Sequence, residues 1–297
     1  MSATAFYQLF THQYSSLPLL LTPALCTGNT YIITGSNIGL GLECAKHLVR
    51  LNAKRVILAV RSLTRGNDAL AQIEAETGRS GVAKVWLLDL SSYQSVLSFA
   101  ARVEAELDRV DGIVQNALAA QADWIMAEGL ELSLTVNVVI TFLLTVLQIP
   151  YLEKCSTKYS TTPRVTVVTS GLGFEQKGDF AKIDPDAILQ DLSDNSKWSI
   201  NGVGRYSLSK LLQILALRRF VNLAPVSQTG VIVNMVSPGL CNTGLNRYAD
   251  TSTKLFVGAL SAILGRSAEW GSRTLVHGLA AGEESHGKYL AYCEDKE

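Results

Sequence analysis

The chain has 297 residues, 47% of them hydrophobic, so it is long enough to bury the core of one large α/β domain. Its 26 Lys and Arg residues balance its 26 Asp and Glu residues, and no basic run occurs, which argues against nucleic acid or an anionic membrane as a partner. Five cysteines without C-x-x-C spacing argue against a zinc site and predict reduced thiols in a cytoplasmic protein. The composition therefore favours a small molecule as partner and predicts no metal.

The N-terminal segment contains an apolar run that resembles the core of a signal peptide. No Lys or Arg precedes Lys46, so the charged start of such a peptide is missing, and Pro18 and Pro23 interrupt the apolar stretch. We predict instead an arm at 1–27 that packs on a single domain at 28–297.

A glycine-rich turn follows the first apolar strand, in the sequence Thr34-Gly35-Ser36-Asn37-Ile38-Gly39-Leu40-Gly41. The first glycine permits a tight turn, the second a close approach of backbone to a ligand, and the third close packing of the next helix. The helix start then offers unpaired N–H groups to a diphosphate. Alone, the motif is weak evidence for a nucleotide site, and an ordinary glycine-rich strand-to-helix loop is the alternative.

Apolar runs alternate with amphipathic segments along the rest of the chain. The predicted strands are Thr30–Thr34, Arg55–Val60, Ala83–Leu88, Gly112–Gln115, Arg164–Thr169, Gly230–Val236 and Lys288–Ala291. The predicted helices are Gly39–Leu51, Thr64–Thr77, Tyr93–Leu107, Gly129–Ile149, Arg205–Leu223 and Ser267–Ala280. This order predicts an α/β fold, a single Rossmann-type doubly wound parallel sheet with helices on both faces.

Three further segments bear on ligands and membranes. Two long connections, 171–204 and 240–265, are predicted to be irregular loops around the substrate. The apolar stretch Val136–Ile149 has about 14 residues and contains Asn137, so it is too short and too polar to span a membrane. We predict a buried helix there, or one that helps to form a homodimer.

Tyr206 and Lys210 are four residues apart, hence on one face of a helix. An ammonium about 4 Å from a phenolate stabilises it by about 4 kcal/mol at a dielectric constant near 20, or roughly three pKa units. This predicts that the pKa of the tyrosine falls toward neutrality, where a general acid or base works best. Tyr292 and Lys296 have the same spacing without an expected role, so spacing alone is weak evidence.

The combination of motifs is far more specific. Besides Thr34-Gly-x-x-x-Gly39-x-Gly41 and Tyr206-x-x-x-Lys210, the chain has Asp89-Leu90, Asn116-Ala117, Asn137, Ser170, Pro238-Gly239 and Thr243 at matching places. With these it resembles the short-chain dehydrogenase/reductase family from about Gly28 to Cys293. The runs near Arg266 and Lys288 resemble its retinol-dehydrogenase-like branch, which includes fungal secondary-metabolism reductases.

The resemblance implies a role for each matching residue. Tyr206 would donate the proton to a carbonyl oxygen, Ser170 would hydrogen-bond that oxygen, and Lys210 would lower the tyrosine pKa and bind the nicotinamide ribose. Asn137 would hold a water that links Lys210 to solvent. The cofactor would contact Gly35, Ser36, Asn37, Ile38, Gly39, Gly41, Arg61, Asp89, Leu90, Asn116, Ala117, Tyr206, Lys210, Pro238, Gly239 and Thr243. A strand-end cap for Ser170 and a buried structural amide for Asn137 are the alternatives.

The end of the second strand indicates which dinucleotide binds. An NAD site places Asp or Glu there for the ribose 2′-OH, whereas this chain has Arg61-Ser62. A guanidinium suits a 2′-phosphate, so the sequence favours NADP(H) over the alternative of a solvated arginine. Asp89 would meet the adenine edge and Thr243 the carboxamide.

Two departures from the family pattern affect the reaction. Leu118 stands where the family commonly has a glycine beside the cofactor, and an insertion separates Ser170 from Tyr206. The aromatic residues of that insertion, Phe174, Phe180 and Trp198, would either wall an apolar pocket or form a satellite cluster.

The predicted function is NADPH-dependent reduction of a ketone or aldehyde, or the reverse oxidation, on a hydrophobic small molecule such as a polyketide or other secondary metabolite. Leu118 motivates an alternative, a non-redox isomerase, dehydratase or cyclase that uses Tyr206 and Ser170 as acid and base. A nucleotide sensor is the third hypothesis, which the complete set of acid–base residues disfavours.

Overall fold

The computed structural model describes residues 13–198, 203–244 and 251–295. Residues 1–12 of the predicted arm, parts of the two predicted loops (199–202 and 245–250) and Lys296 lie outside this part. Its strands are β1 Thr30–Thr34, β2 Arg55–Val60, β3 Ala83–Leu87, β4 Gly112–Gln115, β5 Met126–Ala127, β6 Leu130–Glu131, β7 Arg164–Val168, β8 Ile232–Ser237, β9 Tyr289–Ala291 and β10 Glu294–Asp295.

The longer helices are Gly39–Arg50, Leu63–Thr77, Tyr93–Glu106, Thr141–Tyr159, Val203–Leu223, Thr251–Leu264 and Ala268–Ala280. Short helical segments are Pro23–Cys26, Leu132–Leu134, Gly171–Gln176, Lys177–Phe180, Ile188–Leu192, Val226–Thr229 and Glu283–Ser285, and Thr135–Ile140 is a π-helix.

The main sheet of the described chain has the order β10-β9-β8-β7-β4-β1-β2-β3, parallel except for the β10–β9 pair. The predicted fold class is confirmed: a doubly wound parallel sheet covered by helices. The chain winds outward in opposite directions from β1 and β4, which are neighbours. The helices that follow β1 and β4 pack in different cores, and open α/β sheets of this kind bind ligands at the carboxyl ends of the strands where the winding reverses.

Alternate residues of the central strands belong to different cores. Ile32 and Ile113 pack in the core that includes Ile214 of helix Val203–Leu223. Ile33 and Val114 pack in the core that includes Leu275 and the first helix after the glycine turn. A strand buried on both faces must be apolar at consecutive positions, which explains the continuous apolar runs of the sequence.

The structure corrects the prediction of a helix over Gly129–Ile149. Residues Met126–Glu131 form the small β5–β6 hairpin, and the helical segment runs from Leu132 to Tyr159 through Pro150. The proline is tolerated because the carbonyl that loses its partner belongs to Val146, a residue that is 51% exposed and can bind water.

The same segment, Leu132–Tyr159, is the one described helix long and apolar enough to cross a membrane, and the mean hydropathy of its most apolar 18-residue stretch is 2.1. The prediction that this apolar stretch is too short to span a membrane is therefore wrong, because the helix continues beyond Ile149 to Tyr159. However, 72% of its most apolar stretch is buried inside the protein, as in the core helix of a soluble protein. Helix Thr251–Leu264 likewise corrects the prediction of an irregular loop over 240–265.

Residues 13–27 of the arm lie against the domain. Leu17 is fully buried, its carbonyl accepts a hydrogen bond from Arg273 at 3.0 Å, and Arg266 donates to the carbonyl of Gln13 at 2.8 Å. The division into an arm and one domain stays a prediction.

Candidate active site

The glycine turn lies at the carboxyl end of β1 and is fastened to the end of β4. The side-chain amide nitrogen of Asn116 donates to the carbonyls of Thr34 and Gly35 at 3.0 and 3.2 Å. The Thr34 hydroxyl accepts from the backbone N–H groups of Asn116 and Ala117. A Cβ at Gly41 would lie 2.7 Å from the Asn116 amide nitrogen. The third glycine therefore allows the helix to pack against this junction.

The turn has the chemistry of a diphosphate site. Gly35 and Gly39 have φ values of 64° and 59°, a region that favours glycine. No side chain caps helix Gly39–Arg50, so its first N–H groups are available to an anion. The Ser36 hydroxyl is fully buried and has no hydrogen-bond partner in the described chain. These residues fit the diphosphate of a dinucleotide.

Other predicted cofactor residues lie at the carboxyl ends of neighbouring strands. Arg61, just after β2, is exposed, and no hydrogen bond or ion pair of its side chain occurs in the described chain. After β3, the Asp89 carboxylate accepts from the N–H and hydroxyl of Ser91 at 2.9 and 2.6 Å, next to buried Leu90. The structure thus places Arg61 and Asp89 on the same edge of the sheet as the turn.

The end of β8 lies on the opposite side of the glycine turn. A Cβ at Gly39 would be 3.6 Å from the Thr243 side chain, so Thr243 faces the turn directly. Gly239 has a φ of 74°, and the Pro238 carbonyl accepts from the Arg266 guanidinium at 3.3 Å. The predicted cofactor residues therefore lie along one edge, with Asn37 and Ile38 inside the turn.

Helix Val203–Leu223 brings Tyr206 and Lys210 to the end of β7. The Ser170 hydroxyl is close enough to Tyr206 to lower the pKa of the phenol, and the Lys210 ammonium lies 5.8 Å from the centre of the tyrosine ring. The ammonium donates to the carbonyl of Val168 at 2.8 Å. The structure thus brings together a phenol, a hydroxyl and an ammonium, as predicted from sequence.

Their proton affinities differ from the sequence prediction. Burial raises the pKa of Tyr206 to about 12, against a smaller lowering by the hydrogen bond from Ser170, and burial lowers the pKa of Lys210 to about 7. The prediction that Lys210 brings the phenol toward neutrality is wrong for the ligand-free protein. The distance argument omitted desolvation, which disfavours the charged form of each group.

Asn137 lies in the π-helix Thr135–Ile140, a feature that often marks functional sites. Its fully buried side chain accepts from the N–H of Ala119 at 2.8 Å and donates to the Ala119 carbonyl and the Ser209 hydroxyl at 2.9 Å each. The two hydrogen bonds to Ala119 fix the loop after β4, which also contains half-buried Leu118. The water-holding role of Asn137 stays a prediction.

The described part of the insertion, residues 171–198, packs against the Tyr206 helix. Most of its apolar residues join a separate cluster with Leu208, Leu211 and Leu212: Phe180, Ile183, Ile188, Leu192 and Trp198. Phe174 instead stacks edge-on against Tyr289 with ring centres 5.2 Å apart. The satellite cluster is therefore present, and the role of the insertion as a pocket wall stays a prediction.

Sequence reasoning missed three residues around this site. Gln213 hydrogen-bonds the Lys210 ammonium, and Arg205 forms a buried ion pair with Glu131. For Gln213 a signal existed, since its position three residues after Lys210 places it on the same helix face. The Arg205–Glu131 pair joins distant parts of the chain, and no local pattern indicates it.

Comparisons with known proteins agree with this geometry. The short chain dehydrogenase family model matches residues 29–182. The chain is 41% identical over 292 residues to the short chain dehydrogenase/reductase dmxR8 of Cryptosporiopsis sp., covering 96% of this chain and 87% of that protein. It is 40% identical to the short chain dehydrogenase atnD of Emericella nidulans, covering 95% and 89%.

Among solved structures, a short-chain dehydrogenase from Sphingobium yanoikuyae in complex with NADPH matches with a TM-score of 0.63 at 19% identity, covering 89% of this chain and 87% of that one. The fold, the family model and the relatives lead to one assignment. The chain belongs to the short-chain dehydrogenase/reductase family of oxidoreductases.

Proposed function

We propose that this protein is an NADPH-dependent reductase of a ketone or aldehyde on a hydrophobic small molecule, such as a polyketide or other secondary metabolite, or catalyses the reverse oxidation. The observation that carries the proposal is the cluster of Tyr206, Ser170 and Lys210. It lies at the carboxyl ends of the parallel strands, on the same side of the sheet as the glycine turn. Exposed Arg61 favours the 2′-phosphate of NADPH.

NADPH supplies a hydride to the carbonyl carbon when it is bound. The negative charge that then develops on the carbonyl oxygen is stabilised by hydroxyl donors from Tyr206 and Ser170. Because burial keeps the phenol protonated near neutral pH, Tyr206 can deliver its proton to that oxygen. Lys210 provides positive charge beside the phenol when it is protonated.

The test is turnover by the purified protein with NADPH and a panel of lipophilic ketones and aldehydes. We expect Tyr206→Phe to lower kcat by roughly 10²- to 10⁴-fold, since the proton donor is lost, and to leave NADPH affinity unchanged. Tyr159→Phe is the matched control, because its hydroxyl only donates to the Asp108 carbonyl at the surface.

Two outcomes would contradict the proposal. Absence of both turnover and NADPH binding across the panel would exclude a reductase. Product formation without any nicotinamide would select the non-redox isomerase, dehydratase or cyclase instead. A Tyr206→Phe variant with wild-type turnover would show that another group donates the proton.

A further inference from the structure

Gln213 connects two residues of the site through its side-chain amide. The Lys210 ammonium donates to the Gln213 amide oxygen at 3.1 Å, and the Gln213 amide nitrogen donates to the backbone carbonyl of Asn137 at 2.7 Å. Gln213 is only 2% exposed, and its two partners are 1% and 0% exposed. The three residues thus form one buried chain of hydrogen bonds.

The neighbours of Gln213 determine its orientation. If the amide were turned over, its NH₂ group would face the ammonium, and its oxygen would face the Asn137 carbonyl, so both hydrogen bonds would be lost. Asn137 is itself fixed by its two bonds to Ala119. The acceptor for Lys210 is therefore attached to a rigid part of the structure.

The charge of Lys210 depends on such acceptors. Two neutral oxygens, from Val168 and Gln213, replace water around the buried ammonium. Acceptors beside an ammonium favour its charged form, whereas burial favours the neutral amine. An amide neither takes up nor releases a proton at ordinary pH, so Gln213 holds the ammonium without relaying its proton.

We propose that Gln213 is a positioning residue. It holds the Lys210 ammonium in place through the backbone carbonyl of Asn137 and favours the charged form of this buried ammonium. Its importance for turnover rests on the proposed reductase function. The hydrogen bonds of Gln213 to Lys210 and Asn137 are independent of that function.

Few titratable groups surround this ammonium in the described chain. Tyr206 faces it from the same helix, and Tyr289 on β9 interacts electrostatically with Tyr206. Burial is the one cause of the lowered Lys210 pKa, with no contribution from a described carboxylate. No described carboxylate therefore competes with Gln213 and Val168 as an acceptor for this ammonium.

The experiment is NMR titration of the full-length, cofactor-free protein with ¹³C-labelled lysine, the Lys210 signal being assigned by its loss in Lys210→Met. Gln213→Leu removes an acceptor, and we expect the Lys210 midpoint to fall by about one pKa unit. Gln213→Glu supplies a carboxylate at the same length and should raise the midpoint.

Gln148→Leu is the matched control, since Gln148 is 1% exposed on the long helix and has no hydrogen bond to Lys210. It should leave the midpoint unchanged. If Gln213→Leu fails to fold, Gln213→Glu decides, because its midpoint must rise. An unchanged midpoint in a folded Gln213 variant would overturn the proposal.

A second measurement separates the proposal from the proposed function. The pH dependence of kcat is measured with NADPH and any carbonyl compound that the wild type reduces. In each Gln213 variant its inflection point should shift in the same direction as the NMR midpoint of Lys210. If the wild type reduces nothing, the reductase proposal fails while the NMR titration still decides the role of Gln213. A pH limb that stays in place while the midpoint moves would exclude a role for Gln213 in turnover.

Discussion

At the scale of single residues, the proposed preference for NADPH rests on Arg61. It follows β2 directly, is exposed, and has no described partner that a phosphate would have to displace. The neighbouring Ser62 caps helix Leu63–Thr77 by accepting from the Arg65 N–H, so its hydroxyl proton remains available to an anion. A guanidinium and a hydroxyl together suit a 2′-phosphate.

We therefore expect Arg61→Ala to weaken NADPH binding by roughly 10- to 100-fold, the equivalent of one charge-assisted hydrogen bond, and to change NADH binding little. Fluorescence titration with each nucleotide measures this. Arg219→Ala is the control, since Arg219 is equally exposed near the far end of the Tyr206 helix. Equal losses for NADPH and NADH would contradict a contact with the 2′-phosphate.

At the scale of elements, one buried ion pair joins the segments that bear the site residues. Arg205, directly before Tyr206, donates to the Glu131 carboxylate at 3.0 Å, and both side chains are at least 96% buried. Glu131 also accepts from the N–H of Ser133 at the start of the helical segment that carries Asn137, and Arg205 donates to the carbonyl of Leu192 in the insertion. The pair therefore fixes the Tyr206 helix, the helical segment that carries Asn137 and the insertion relative to each other.

Glu131→Leu should lower the free energy of unfolding by about 3 to 5 kcal/mol, because it leaves a guanidinium buried without its carboxylate. The double variant Glu131→Leu with Arg205→Met should regain most of this loss, since it removes both charges. Lys154→Ala breaks the exposed pair with Glu104 and should cost less than about 1 kcal/mol. Urea unfolding measures all three, and a double variant less stable than Glu131→Leu would contradict the argument.

At the scale of the whole molecule, three histidines make stability depend on pH: His47 is buried, and His277 and His286 are partly buried. Burial lowers the pKa of His47, His277 and His286, and for His277 it is the only cause. Below about pH 6.5 the unfolded chain binds protons that the folded protein resists, so protonation favours unfolding. Their contribution to stability is complete above that pH and is lost as the pH falls through it.

We expect the urea midpoint to fall between about pH 7.5 and pH 5.5, by the equivalent of up to about 1.4 kcal/mol for each pKa unit of depression. His277→Gln removes one such group and should make the pH dependence shallower. A midpoint that rises on acidification, or a variant with the wild-type slope, would contradict this. The cytoplasmic location and a homodimer through the long apolar helix stay predictions at this scale.

Features of this protein that depend on local patterns can be predicted from the amino-acid sequence. Continuous apolar runs fixed β1, β2 and β4 at their observed bounds, because a strand covered on both faces must be apolar throughout. The glycine positions likewise located the turn, and the spacing of Tyr206 and Lys210 placed both residues on one face of a helix. The long helix continues past its predicted end at Ile149, because it tolerates Pro150 where Val146 is exposed.

The proton affinities and the long-range contacts of the site depend on the tertiary structure, because they arise where distant segments of the chain meet. The proton affinities of Tyr206 and Lys210 reversed the expectation from spacing, because desolvation depends on everything packed around a group. The contacts of Gln213 with Asn137, and of Arg205 with Glu131, join residues more than 70 positions apart. Local periodicity identifies the elements of this protein, whereas burial and long-range contacts set the chemistry of its site.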